Sequence, residues 1–409
     1  MKTKAETDTQ SSGSLFGGIL LISGCCIGAG MLGLPVLSAI AGFKPSIAML
    51  LLSWVFMLST GLLLLEVNLW FTEEVSIISM AGRTLGWIGK AIGWAGFLFL
   101  FYAIMVAYIS GSGELFSGFV NSIAGYPLAP WIGSLVLTMV FTLFLYLGTR
   151  AVDHFNRFMM GGLVISYLLL VGLGLPHIDL TRLNHQEWPS AFLMLPTMII
   201  SFGYHNLIPS LKTYYGGNVK KLRLAVIIGS AIPLLIYFLW ELLILGLIPL
   251  EGSGGLRQAL GEGYLPTQLL EGAIGSSWVV TLAHYFSFFA IVTSFLGVGL
   301  SFVDFLADGL HVKKTAKGKL LLCALVAIPP FLLAMTYPRI FLTALSYAGA
   351  FGAVVLFGIL PAAMVWSGRY IKGLKGVPQL PGGKASLLFV ILFAISVIVL
   401  QITIDAVAN

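Results

Sequence analysis

The sequence predicts an all-α integral membrane protein of eleven transmembrane helices, on three observations. Of 409 residues, 58% are hydrophobic and only 9% are charged, against about 25% charged in soluble domains; the mean hydropathy is +0.99. Apolar runs of about 20 residues recur along the chain, the length a helix needs to cross a bilayer and about twice that of a barrel strand. All 22 Lys and Arg fall outside these runs or at their ends. Such a composition cannot cover a water-facing surface, so a soluble enzyme and a free-standing binding module are excluded. Cys25 and Cys26 are adjacent and Cys323 stands alone. That gives neither a disulfide framework nor a zinc spacing, and no metal or cofactor is expected.

Residues 1–14 are polar and poor in aromatics, the pattern of a disordered tail. Leu15 then opens an apolar run over 15–41. A signal peptide has a core of only about 7–15 apolar residues, and ten similar runs follow, so this is a retained span. The others cover 46–71, 91–121, 130–148, 156–175, 190–211, 224–248, 277–306, 320–336, 339–367 and 386–406. The ninth holds Pro329 and Pro330 and is the least regular. The connections 72–90 and 250–276 are long enough for short surface helices, and no soluble domain is inserted. With the N-terminus inside, eighteen Lys and Arg fall on the cytoplasmic side and four outside: Lys44, Arg182, Arg257 and Arg339. This bias predicts a cytoplasmic N-terminus and an external C-terminus. It also accounts for the pI near 9.1, so the expected partner is the lipid bilayer and no nucleic acid.

Two spans are interrupted. Span 1 contains Ser23-Gly24-Cys25-Cys26-Ile27-Gly28-Ala29-Gly30-Met31-Leu32-Gly33-Leu34-Pro35, and four glycines followed by a proline weaken its hydrogen-bond ladder at mid-membrane depth. Each unpaired backbone group costs several kcal/mol in lipid, about 4–8 on an apolar transfer scale, so a break survives only beside protein or a polar cavity. A small-residue packing face is the other reading of this segment. Span 6 contains Ser201-Phe202-Gly203-Tyr204-His205-Asn206-Leu207-Ile208-Pro209, again a glycine, polar side chains and a later proline. Five spans separate the two breaks, so span 6 crosses in the opposite direction to span 1. The pairing predicts two inverted five-span repeats, 15–175 and 190–367, with 386–406 as an added eleventh helix. Broken helices in matching positions are the sequence mark of a secondary transporter's central site. Free N–H groups at one half-helix start suit a carboxylate and free carbonyls at the other suit an ammonium or a cation. A zwitterionic amino acid carries both groups on one carbon.

The segments GCCIGAGMLGLP, LLLLEV, YISGSGEL, SFGYHNLIPSL, GGNVKKLR, IGSAIP and TSFLGVGLSFVDFLAD resemble the bacterial tyrosine/tryptophan permeases. These are hydroxy and aromatic amino acid permeases of the amino acid–polyamine–organocation superfamily. The resemblance runs from about Gly17 to Trp366, with the motifs in order. It implies a LeuT-like five-plus-five inverted-repeat fold, placement in the bacterial inner membrane and proton-coupled uptake of an aromatic L-amino acid. The family commonly has Thr or Ser where this chain has Cys25 and Cys26, which removes hydroxyl contacts there and leaves the backbone site.

The expected substrate residues are Gly24, Cys25, Cys26, Ile27, Gly28, Ala29 and Gly30 in the first break, and Phe202, Gly203, Tyr204, His205 and Asn206 in the second. Tyr108 joins them from span 3, with Tyr102 nearby. Candidates for ion or proton coupling are His205, Glu114, Thr293, Ser294 and Asp304. His205 sits in a break, and histidine titrates near physiological pH. Ser110, Glu114, Ser117 and Asn121 form one helical face of span 3, and Thr293, Gly297, Ser301 and Asp304 one face of span 8. By resemblance Thr293 and Ser294 match the hydroxyl pair that completes a cation site in sodium-driven relatives. Each has a plainer reading: an interhelical hydrogen bond for His205 and Glu114, capping of their own helix for the hydroxyls. Glu66 and Glu241 also lie within spans; the expectation is a structural role for the first and, for the second, a place facing an external vestibule in the outer half of span 7. Span 5 offers no lysine to mimic a cation.

The reading is a permease that works by alternating access, with the first two helices of each repeat rocking against the rest. A sodium-coupled neutral amino acid carrier competes with proton symport, and a non-transporting sensor is a third reading. A membrane enzyme would need a second acidic or nucleophilic cluster facing Asp304 and Asp308, and a channel would need pore-lining rings; the sequence has neither.

Overall fold

Helix ends fall where glycine, proline or a capping side chain interrupts an apolar run. The computed structural model describes residues 13–408 apart from 74, 126–127, 253, 263–276 and 338. Among the described residues, ten helices are long and apolar enough to cross a membrane, and the bent pair Leu15–Cys26 and Ala29–Ser38 makes eleven. Span 1 is that pair. Spans 2 to 6 are Phe43–Leu69, Ile77–Ala124, Pro130–Leu147, Thr149–Gly174 and Pro189–Tyr214. Spans 7 to 11 are Val219–Leu247, Ser277–Gly309, Ala316–Thr336, Phe341–Ile371 and Gly383–Ala408. The chain is an integral membrane protein built of helices.

Several boundaries have a visible local cause. Ser14 Oγ accepts from Gly17 N–H at 3.0 Å and starts span 1; Asn218 and Thr315 cap spans 7 and 9 in the same way. Gly148, at φ 97°, turns span 4 into span 5 with no loop between them. Both expected surface helices are present. Gly86, at φ 76°, divides 77–85 from the remainder of span 3, and Leu256–Glu262 lies in the second long connection. Pro329 and Pro330 sit inside span 9, which stays helical from end to end.

Span 8 packs on spans 5 and 3, and span 3 on spans 4, 9 and 10. The first half of span 1 and span 2 pack on span 7, while span 6 packs on spans 2 and 10. Spans 6, 8 and 10 are the most enclosed, and span 11 presents most of its surface outward.

Glu66 has a partner that sequence reasoning did not find. Arg369 donates from Nε and Nη2 to its two carboxylate oxygens, each at 2.6 Å, and Gln379 N–H adds a bond of 2.8 Å. The carboxylate side chain is only 2% exposed. The fork-to-fork geometry satisfies both charges where either alone would be costly to bury. Arg369 thus continues the helix of span 10 and binds it to span 2.

Candidate functional site

Span 1 stops being α-helical after Cys26. Ile27 N–H still bonds Ser23 O at 3.0 Å, Gly28 is extended at φ −171° and ψ −154°, and Ala29–Gly33 resumes as a tighter helix. The two halves differ in direction by 45°. Ala29 N–H donates to Ser294 Oγ of span 8 at 2.9 Å, and a Cβ at Gly28 would collide with that same oxygen. Glycine is needed here because span 8 comes so close, not because of its backbone angles.

Span 6 breaks at Ser201. Phe202 and Gly203 N–H fold back onto Ile199 O and Ile200 O, His205–Leu207 forms a single tight turn, and Ile208–Tyr214 completes the span. Pro35 and Pro209 both stand in the first turn of a second half-helix, where a missing N–H costs nothing. Each marks the point where the tight turn after the break gives way to α-helix.

One side chain ties the two breaks together. Tyr237 of span 7 is fully buried, and its hydroxyl lies 2.6 Å from Cys26 O and 2.7 Å from Ser201 O. It supplies its one hydrogen between the two carbonyls that end the first half-helices. Cys25 Sγ adds a contact of 3.3 Å to Gly203 O.

A narrow cavity of about 110 Å³ lies at the breaks, smaller than the roughly 300–1,000 Å³ of sites holding a drug-sized ligand. Phe97, Phe101 and Ile104 of span 3, Val298 of span 8 and Leu345 and Phe357 of span 10 form its apolar wall. Tyr108, Ser201, Asn206, Ser294 and the Cys25 thiol stand on its polar side. Phe97, Phe101 and Asn206 are shared with a vestibule lined also by Ser76, Ile78, Pro209 and Phe305, so the cavity opens toward the end bearing the connection between spans 2 and 3. Toward the other end, Met31, Leu32, Leu34 and Val36 are fully buried, and Gly33 abuts Leu342 and Phe341 of span 10. That approach is closed.

Of the expected substrate residues, Cys25, Cys26, Gly28, Ala29, Gly30, Tyr108, Gly203 and Asn206 line the cavity. Gly24 and Ile27 flank it without lining it. Phe202, Tyr204 and His205 are fully buried behind it. Phe202 packs on the Tyr237 ring with centroids 5.2 Å apart, and Tyr204 donates to Met57 O of span 2 at 3.2 Å. His205 Nε2 lies 2.9 Å from Thr60 Oγ1, and its ring stacks on Phe357 at 4.8 Å. The turn that begins at His205 aims it at span 2, which corresponds to its plainer reading.

The coupling candidates also separate. Ser294 is in the cavity, holding Ala29 N–H. Thr293 Oγ1 bonds carbonyls of its own helix, Phe289 O at 2.8 Å and Ala290 O at 3.2 Å. Asp304 pairs with Lys314 at 2.6 Å at the exposed end of span 8. Glu114 lies on span 3 away from the cavity lining, with Oε2 buried and unbonded; the side chain of Asn121, on the same face, lies outside the described residues. Tyr102 is turned outward to Leu325 O at 3.1 Å. Sequence reasoning missed Tyr237 and the apolar wall. A hydroxyl at mid-depth in span 7 was the one signal for the former, and ordinary span-lining Phe and Ile gave none for the latter.

Comparison with known proteins agrees with this geometry. The chain is 33% identical over 389 residues to the tyrosine-specific transport system 1 of Haemophilus influenzae, covering 93% of this chain and 94% of that one. It is 32% identical over 396 residues to the tryptophan-specific transport protein of Shigella flexneri, covering 95% of each. To the low affinity tryptophan permease of Escherichia coli it is 31% identical over 403 residues, 94% of each chain. The profile of the tryptophan/tyrosine permease family matches residues 11–401. With two broken spans, a cavity between them open at one end only and relatives aligned almost end to end, the chain belongs to the tryptophan/tyrosine permease family and is a transporter rather than an enzyme.

Proposed function

We propose that the chain imports an aromatic amino acid, tyrosine or tryptophan, across the bacterial cytoplasmic membrane by proton symport and alternating access. The observation that carries this reading is the cavity at the paired breaks. Backbone ends and Ser294, Asn206 and Cys25 suit an amino acid's charged groups on one side, and Phe97, Phe101 and Phe357 suit a ring on the other. The relatives' names supply the substrate class.

The packing supports two five-span repeats. Contacts occur in pairs related by a shift of five: span 5 on 8 and 10 on 3, span 1 on 7 and 6 on 2, span 3 on 4 and 8 on 9. With the basic end of the bundle in the cytoplasm, the vestibule faces inward, the N-terminus is cytoplasmic and the C-terminus external. In that inward-open form a substrate leaves past Phe97, Asn206 and Phe305. Thr293 bonds its own helix and Ser294 accepts from Ala29 N–H, and proton coupling follows the family resemblance.

The test is uptake of labelled tyrosine and tryptophan into proteoliposomes under an inward proton gradient or an inward sodium gradient at equal pH. Accumulation driven by protons and competed by either aromatic, but not by leucine or serine, is expected. Accumulation under sodium alone overturns the coupling assignment, and aromatic binding with no transport under either gradient overturns the transport assignment.

A further inference from the structure

Glu241 is used by nothing described so far. It lies in span 7, one helical turn beyond Tyr237, and is fully buried. Its Oε2 is 2.6 Å from the hydroxyl of Ser38, the residue that ends the second half of span 1. Its Oε1 is buried without any hydrogen-bond partner. Ser38 Oγ is also 2.9 Å from Leu34 O, one turn back in its own helix.

Counting hydrogens decides between two states. A serine hydroxyl has one hydrogen. Were Glu241 ionised, Ser38 would spend that hydrogen on Oε2, leaving its oxygen in bare contact with Leu34 O and a charged Oε1 buried without a protein partner. With a proton on Glu241, the carboxyl donates to Ser38 Oγ and Ser38 donates to Leu34 O. Every hydrogen is then used, and only a neutral carbonyl oxygen lacks a partner, at far lower cost than a charged one.

Among the described residues, no cation is bonded to this carboxyl to change that result. At the same end of span 7, Arg182 bonds Leu247 O and pairs with Asp179, and His185 bonds Ile40 O. Tyr167 of span 5 bonds Ile236 O, Tyr237 holds the breaks, and Arg257 pairs with Glu251. Lys44, at the start of span 2, is exposed. Span 8 packs Phe286 on Trp240 and brings His284 and Tyr285 to this end. The other titratable groups on the elements packed against span 7 stand at the breaks (Cys25, Cys26) or at the opposite end: Glu66 with Arg369, Lys212 on Asn68 O and Phe71 O, Tyr214, and Tyr215 on Leu15 O. There too lie Arg150 and, in one helical turn, His154 and the Asp153–Arg157 pair.

We propose that Glu241 is the proton-binding group that closes the external gate: protonated, it docks Ser38 and the second half of span 1 onto span 7, and ionised, it releases them. The proton comes from the external solution while the gate is open and is held as the carboxyl O–H while the gate is closed. It returns to the external solution when the gate reopens, so that Glu241 gates the cycle without itself delivering the coupled proton to the cytoplasm. This inference rests on the proton-symport and alternating-access reading above, and it gives a role in the cycle to a residue outside the substrate cavity.

The experiment is tyrosine counterflow in proteoliposomes with external pH varied from about 5 to about 8, alongside gradient-driven accumulation. Wild type should lose external entry as external pH rises, by up to roughly tenfold per pH unit once the group is ionised. Glu241→Gln keeps the shape, its amide donating permanently to Ser38, so counterflow should persist while its dependence on external pH flattens. A wild-type pH profile in Glu241→Gln overturns the proposal. Should that variant not fold, Ser38→Ala decides: removing the acceptor of the carboxyl hydrogen should shift the profile to lower pH, and an unshifted profile overturns the assignment. Failure of wild type to accumulate tyrosine under a proton gradient is a separate result and sinks the symport reading itself.

Discussion

Gly28 is the point at which span 1 and span 8 come closest, and one methyl group tests it. Gly28→Ala should fold but lose at least about tenfold in uptake, since a misplacement of roughly 1 Å in a site costs far more than that. Gly28→Ala with Ser294→Ala should recover part of the loss, because the colliding oxygen is gone; labelled-tyrosine uptake by the two variants reads this directly. Tyr237→Phe removes the bond shared by Cys26 O and Ser201 O while keeping the ring. Leaving these buried acceptors unpaired should cost about 1–3 kcal/mol, visible as a lower unfolding temperature that added substrate restores only in part. The residue scale is also where the sequence said least. Gly28, Ala29 and Asn206 were legible from the two interrupted segments, and Ser294 only through the family resemblance. The direction of the His205 ring was not, because helical periodicity cannot be applied to a three-residue link.

At the scale of elements, length, breaks and order were legible because hydropathy over about 20 residues is set by the bilayer. What lies inside a continuous run was not. Residues 348–359 of span 10 wind as a π-helix, and AGAFGAVVLFGI would be equally apolar in an α-helix. Gly349 there faces the carbonyl of Pro196 so closely that a Cβ would overlap it, which brings spans 10 and 6 together beside the cavity. The broken form of span 1 makes its own prediction. Cys25 is exposed toward the cavity, whereas Cys26 and Cys323 are buried. A thiol reagent small enough to enter the vestibule should label Cys25 first, from the cytoplasmic face, with bound tyrosine slowing the reaction. Faster labelling of Cys323, or no protection, would place the substrate elsewhere.

For the whole molecule, the buried pair of Glu66 and Arg369 joins span 2 to the end of span 10. Glu66→Gln leaves the guanidinium in a poorly solvated place and should destabilise the purified protein by about 3–5 kcal/mol, as breaking a buried pair does. The double change Glu66→Gln with Arg369→Met should be milder than Glu66→Gln alone in a thermal-shift assay. Charge counting put Arg369 just past the last apolar turn, but one-dimensional spacing cannot pair residues 303 positions apart. That separation bears on how the chain is made. A ribosome delivers span 2 long before Arg369 exists, so Glu66 waits at the membrane edge, hydrated or held by the insertion machinery, through the synthesis of eight further helices. The early spans then have no final resting place until the tenth arrives. Chains stopped at residue 366 should therefore be cleared by proteases, while chains stopped after residue 380, which also carry the Gln379 N–H, should persist. Maturation of this transporter is thus timed by its carboxyl-terminal third, and assembly completes late rather than helix by helix.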